Sequence, residues 1–189
     1  MAKVEGWTID EIEWDSWLTP VSPQTATPEQ LAVLDESPPR SRTSPYFLTL
    51  VHDVDALRQR SRLFNIVMYA PRGLPRAERE LATLVESYIN GCIYCASVHG
   101  RRFAELTKEP EVIHRIYEEG VDTPLDPRRR AIVDFAAKLT ATPPAAGKED
   151  VAALRAVGLG DMEILDLIQS VAMFANANRL MQTLGEPVR

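Results

Sequence analysis

From Ser44 to Gly185 the chain reads as one helical segment after another, each bracketed by residues that start or stop a helix. Ser44-Pro45 has the form of an N-cap followed by a first-turn proline. Phe47, Leu50, Val51, Val54 and Leu57 then recur at helical spacing, and the pattern resumes at Phe64, Val67 and Met68. It stops before Pro71 and Gly73, which predicts a first helix over 45–70. A second helix follows Pro75, with Leu81, Leu84, Val85, Tyr88 and Ile89 on one face. Asn90-Gly91 ends it, because both residues tolerate the left-handed turn at a helix C-terminus. A third is expected to begin near Cys92 and reach Leu106. Residues 109–119 suit a short helix stopped by Gly120. Asp126-Pro127 opens another, with Ile132, Val133, Ala136 and Leu139, which Pro143-Pro144 breaks. A short helix over 148–157 ends at Gly158, and Asp161 is placed to cap a last long one that Gly185 closes. No alternating strand pattern of useful length is visible, so the expected class is all-α.

The first 43 residues differ. Pro20, Pro23, Pro28, Pro38 and Pro39 interrupt them, and proline removes a backbone donor and blocks helix interiors. The expectation is an irregular N-terminal arm, residues 1–43, ahead of a helical domain over 44–189, with a short helix near 28–35. Trp7, Trp14 and Trp17 lie in this arm, and large aromatics on an irregular segment need a surface to pack on.

Charge narrows the function. The net charge is −6, which argues against a nucleic-acid binder and against docking on an anionic membrane. The N-terminus is acidic where a secretory signal is basic and then apolar, so a cytoplasmic location is expected. No run approaches the roughly 18 apolar residues of a membrane span.

The chain has only two cysteines, Cys92 and Cys95. A close pair in a reducing compartment points to redox chemistry or metal binding. On a helix, Cys95 and His99 sit about −60° and −20° from Cys92, so all three share one face. The thiolate is the nucleophile, and helix N-termini, cations and C-x-x-C spacing favour it. His99 can take the thiol proton. A peroxide converts a thiolate to a sulfenic acid, which a second cysteine one turn away captures as a disulfide. Glu80, on the preceding helix, could orient the histidine. Three other readings stand beside this one. The two thiols and His99, with Glu80, could ligate zinc, although a second close Cys/His pair is missing. Both cysteines could be small buried hydrophobes. The pair could serve general disulfide exchange.

The stretch from Glu80 to His99, ELATLVESYINGCIYCASVH, resembles the AhpD-like alkylhydroperoxidase group of the carboxymuconolactone decarboxylase superfamily. Glu80, Cys92, Cys95 and His99 match that pattern place by place, and Tyr94 stands where the family has His or Tyr. The closing run DMEILDLIQSVAMFANANRLMQTLG is similar to the last helix of the peroxidase-related branch. The resemblance implies an AhpD-like helical bundle that forms a homo-oligomer, whether dimer, trimer or hexamer. It implies that Cys95 is peroxidatic, that Cys92 resolves, and that Glu80, Tyr94 and His99 relay protons. The substrate would be a hydroperoxide, and a dithiol or lipoyl-bearing protein would restore the thiols. Tyr94 departs from the histidine of the best-known members; a phenol with a pKa near 10 is a poorer base near neutral pH but still a hydrogen-bond donor. Decarboxylase members lack the cysteine pair, which counts against decarboxylation, but a non-redox enzyme or a disulfide sensor without turnover stays open.

The remaining polar residues suggest ordinary roles. Glu86 is expected at the surface, and His52 and His114 as structural or surface histidines. Gln169, Asn176 and Asn178 are expected either in interface hydrogen bonds, the preferred reading, or facing the active-site pocket, and Arg128-Arg129-Arg130 on a solvated face. No glycine-rich phosphate loop is present, so no nucleotide cofactor is implied.

Overall fold

The computed structural model describes residues 2–38 and 40–189. Among them, the elements run β1 (Glu13–Ser16), α1 (Pro28–Glu36), α2 (Pro45–Leu50), α3 (Val54–Tyr69), α4 (Arg76–Ile89), α5 (Ile93–Thr107), α6 (Pro110–Glu119), α7 (Pro127–Thr140), α8 (Lys148–Ala156), α9 (Asp161–Leu184) and β2 (Gly185–Val188). The chain is all-α apart from one two-stranded ribbon.

Helix α4 is the axis of the fold. It packs most extensively on α5, and then on α7 and α9. Leu81, Leu84 and Val85 meet Phe103, Ile113, Ile116, Ile132, Val133, Leu167 and Val171 in one core. Each such fully buried aliphatic or aromatic side chain contributes about 1.5–3 kcal/mol. Because α4 is enclosed on every side, its polar residues are buried too: Arg79, Glu80, Thr83, Glu86 and Ser87. Thr83 and Ser87 satisfy themselves on backbone carbonyls one turn earlier, at 3.0 and 2.7 Å. Arg79 donates to the carbonyls of Val67, Ala70 and Arg72, which pins the loop between α3 and α4.

Several boundaries have visible causes. The expected helix over 45–70 is two helices, because the Asp53 carboxylate accepts the Ala56 N–H at 3.0 Å and starts α3 afresh. Ser44 stands at the N-cap of α2 but makes no capping hydrogen bond. Asp161 is the first residue of α9, and the cap position is Gly160, whose N–H is taken by Glu163 at 2.7 Å. Gly91, at φ 74°, makes the left-handed turn that separates α4 from α5.

The N-terminal segment lies on the body of its own chain. β1 pairs antiparallel with β2, Glu13 opposite Val188 and Ser16 opposite Gly185. Farther out, Ala2 and Arg189 exchange both backbone hydrogen bonds at 2.9 Å. Trp7 packs on Tyr88 and Tyr117, with ring centroids 4.7 and 5.8 Å away. Gly185 sits where the ribbon crosses Trp14; a Cβ there would collide with the indole and with the Asp15 carbonyl.

The basic run is not a solvated face. Arg128 bonds both Glu78 of α4 and Glu163 of α9, at 2.6 and 3.1 Å. Arg129 pairs with Glu109, and Arg130 donates to the Val121 carbonyl at 2.7 Å. The three arginines brace the start of α7 against its neighbours. Among the described residues, no helix is long and apolar enough to cross a membrane.

Candidate active site

The turn at Asn90-Gly91 folds α5 back along α4 and sets the two halves of the site against each other. Cys92 occupies the N-cap position of α5, Cys95 its first turn and His99 its second. Both thiols are free and buried, with Cys92 2% and Cys95 5% exposed. They share an apolar cluster with Trp14, Tyr46 and Met181, against which Tyr94 and Phe47 pack.

Glu80, from α4, meets His99 at 2.5 Å between Oε2 and Nδ1. Its other oxygen accepts the Arg76 guanidinium, with Nε at 2.6 Å. Burial pushes the Glu80 carboxyl up, but the charges and hydrogen bonds of His99 and Arg76 outweigh it and hold the group below its ordinary range. A carboxylate can only accept, so Nδ1 carries the hydrogen and donates. In the neutral ring this leaves Nε2 as a free base. The edge of Phe174, 4.2 Å away between ring centroids, fixes the plane of the imidazole from α9.

The two thiols are held unequally. The Cys95 S–H is the main donor that lowers the Cys92 thiol below its usual value; burial opposes it, and the Cys95 amide and Asn178 add to the lowering. The Cys92 side chain makes no capping hydrogen bond at the helix start. Cys95 is pushed well up by the same Cys92 hydrogen bond, by burial and by the Cys92 charge, with Asn178 and Arg60 opposing. The pair therefore favours one thiolate, and its charge resists a second. A cleft of about 300 Å³ opens beside Cys92, lined by Tyr94, Trp14, Trp17, Met181 and Gln182 among others.

Of the residues singled out from sequence, the structure brings Glu80 and His99 into contact and places Cys92 and Cys95 in one cluster. Tyr94 packs on that cluster and lines the cleft, but among the described residues it forms no hydrogen bond with Glu80 or His99. Burial, and then the Cys95 charge, raises its phenol. Of the two places expected for Asn178, an interface or the pocket, the structure gives the second. The residue is fully buried, donates to Ser87 Oγ at 3.1 Å, accepts from Asn90 at 3.3 Å, and faces the thiols. Gln169 and Asn176 on the same helix are exposed, as are His52 and His114. Glu86 is not at the surface: it is 1% exposed and bonded to Thr140 and Asn90. Tyr46, Arg60 and Phe174 carried no sequence signal, because their proximity to the thiols comes only from tertiary packing. Among the described residues, no group of three or more His, Cys, Asp or Glu side chains is arranged to hold a metal ion.

Comparison with known proteins adds to this geometry. Residues 55–138 match the carboxymuconolactone decarboxylase family. An uncharacterised peroxidase-related protein from Silicibacter sp. TM1040 is 29% identical, covers 74% of each chain and superposes with a TM-score of 0.67. The alkylhydroperoxidase AhpD core of an uncharacterised peroxidase-related protein from Ralstonia eutropha JMP134 is also 29% identical, over 80% of this chain and 86% of its own, with a TM-score of 0.68. The debrominase Bmp8 shares the fold at 18% identity, covering 93% of each chain with a TM-score of 0.75. No curated protein matches the sequence.

Proposed function

Because the chain belongs to the AhpD/carboxymuconolactone decarboxylase superfamily, we propose that it is a thiol-dependent peroxidase acting on organic hydroperoxides. One observation carries the reading: a buried, carboxylate-oriented histidine on the same helix as a buried, free cysteine pair. Structural cysteines need no such base. The peroxidase-related neighbours at 29% identity point the same way.

In this reading Cys92 holds its proton in the attacking state, His99 Nε2 takes the Cys95 proton, and the Cys95 thiolate, then the single charge of the pair, attacks the terminal peroxide oxygen. The S–O bond forms as the O–O bond breaks, leaving a sulfenic acid and an alcohol once the alkoxide is protonated. The Cys92 thiolate, the more easily formed of the two in the resting pair, then attacks the Cys95 sulfur. A disulfide forms, and the sulfenic oxygen leaves as water with the proton that Cys92 gave up. A dithiol, free or lipoyl-borne on a partner protein, enters by the cleft at Cys92 and restores both thiols. Such a cycle suits a reducing cytoplasm, where a free pair persists between turnovers. We also propose a homo-oligomer, since large apolar side chains stay exposed on α3 (Leu63, Ile66) and α9 (Leu165); sedimentation of the purified protein checks it.

The test is consumption of cumene hydroperoxide by the reduced protein with dithiothreitol as reductant. Steady turnover that disappears in both Cys95→Ser and Cys92→Ser supports the reading. Oxidation of one equivalent without turnover replaces it with a redox sensor. Activity toward another substrate that survives loss of both cysteines replaces it with a non-redox enzyme on this fold.

A further inference from the structure

The mechanism above uses the Glu80–His99 side of the thiols and leaves another side unexplained. Tyr46, on α2, is 6% exposed and belongs to the same cluster as Cys92 and Cys95. Its hydroxyl is buried without a hydrogen-bond partner among the described residues, and so is Nη1 of Arg60 on α3. The two belong together. The Arg60 guanidinium lies over three rings, those of Tyr46, Phe47 and Phe64, at 5.5, 5.3 and 5.4 Å from their centroids. Phe64 in turn packs edge-on against Phe174, 5.8 Å away, which holds His99. A chain of aromatic contacts thus runs from His99 round to Arg60 and Tyr46, with the thiols packed against its Tyr46 end.

Unpaired donors beside a thiol pair are costly to keep buried, and they are what a developing oxyanion requires. We propose that the Tyr46 hydroxyl and the Arg60 guanidinium receive the oxygen that leaves when the hydroperoxide O–O bond breaks. The inference rests on the peroxidase reading and adds to it the group that completes the alcohol. As the Cys95 thiolate forms its S–O bond, the electron pair of the O–O bond departs on the alkoxide oxygen. That oxygen takes the Tyr46 proton, and Arg60 faces the phenolate so formed. His99, which gained the thiol proton, returns one proton to Tyr46 through solvent, so no net proton is gained or lost. Burial raises the Tyr46 phenol to about 12, so the proton is present at every working pH and is still more acidic than an alcohol. The substrate class follows: alkyl hydroperoxides with a basic leaving alkoxide gain most from this side of the site.

The test separates the leaving oxygen from the thiolate. The full-length reduced protein, wild type and Tyr46→Phe, is mixed with cumene hydroperoxide, with peracetic acid and with iodoacetamide, and loss of thiol is followed in a single turnover. Peracetic acid expels a carboxylate that needs no proton, and iodoacetamide reports the thiolate alone. The expected result is a loss of at least ~10-fold with cumene hydroperoxide, a much smaller loss with peracetic acid and an unchanged alkylation rate. Arg60→Lys, which keeps the charge and loses the planar fork, is expected to show the same order of losses in smaller measure. Equal slowing with all three reagents would mean that Tyr46 acts on the thiolate and would overturn the proposal, as would wild-type rates throughout. A wild type that is alkylated but ignores both peroxides overturns the peroxidase reading and this inference with it; one that turns over while Tyr46→Phe matches it overturns this inference alone.

Discussion

Helix α4 buries two glutamates, six residues apart and both 1% exposed, and they behave in opposite ways. Glu80 faces cations: Arg76 and, when protonated, His99. Glu86 faces neutral donors, the Thr140 hydroxyl and the Asn90 amide, with Arg179 only contributing charge from farther off. Burial acts on both. At Glu80 the partners more than offset it and the carboxyl stays ionised; at Glu86 they do not, and its pKa is raised. Burial alone therefore says nothing of a carboxylate's role. The charge of its partners decides whether it can hold a base in place or merely fills a hydrogen-bonded niche.

The comparison can be broken most decisively at Glu80. Glu80→Ala leaves Arg76 and His99 without their partner and is expected to cost about 3–5 kcal/mol in chemical denaturation, as for other broken buried pairs. A loss near that of an exposed glutamate would show that the carboxylate is not held as described. Next in size, His99→Gln should lower peroxide turnover by ~100-fold or more, the scale of a lost general base, while leaving most of the stability. A third test uses pH. The Glu80 pKa is depressed on folding, so its contribution is fully present above the unfolded value of about 4.3 and is lost as pH falls through the lower folded value. Glu80→Gln should flatten that acid limb of the stability curve. Glu86 has the reverse sign: its raised folded pKa favours the fold below about pH 4.3, and that advantage is lost as pH rises through the folded value. Glu86→Gln should therefore stabilise the protein at pH 8 relative to wild type, by within about 1 kcal/mol, with the difference shrinking toward pH 4. Destabilisation at pH 8 would place the two glutamates in the same class after all.

What the sequence disclosed follows from how local each feature is. Glu80, Cys92, Cys95 and His99 lie within two consecutive helices joined by one tight turn, so their spacing is enough to bring them together. The helices themselves were legible from capping residues and apolar periodicity, and the break between α2 and α3 was missed because Asp53 interrupts a pattern whose apolar spacing continues across it. Glu86 reads from sequence as a surface carboxylate, and only the packing of α7, which brings Thr140 across it, buries it. Asn178 stands 88 residues from Asn90, and only packing of α9 on α4 brings them into one cluster. The Arg128–Arg130 run looked solvated because its carboxylate partners lie on other helices, Glu78 and Glu163 for Arg128 and Glu109 for Arg129. The ribbon escaped notice because its strands are four residues each, at opposite ends of the chain.

That ribbon has a consequence in time. Trp14 lies on the cysteine cluster and donates its indole N–H to the Met181 carbonyl at 3.1 Å, and the strand that carries it is zipped to residues 185–188. Those residues leave the ribosome about 90 residues after Cys95. The thiols of a nascent chain therefore stay unroofed until residues 185–188 have emerged and paired with the Trp14 strand, long after the cysteines themselves.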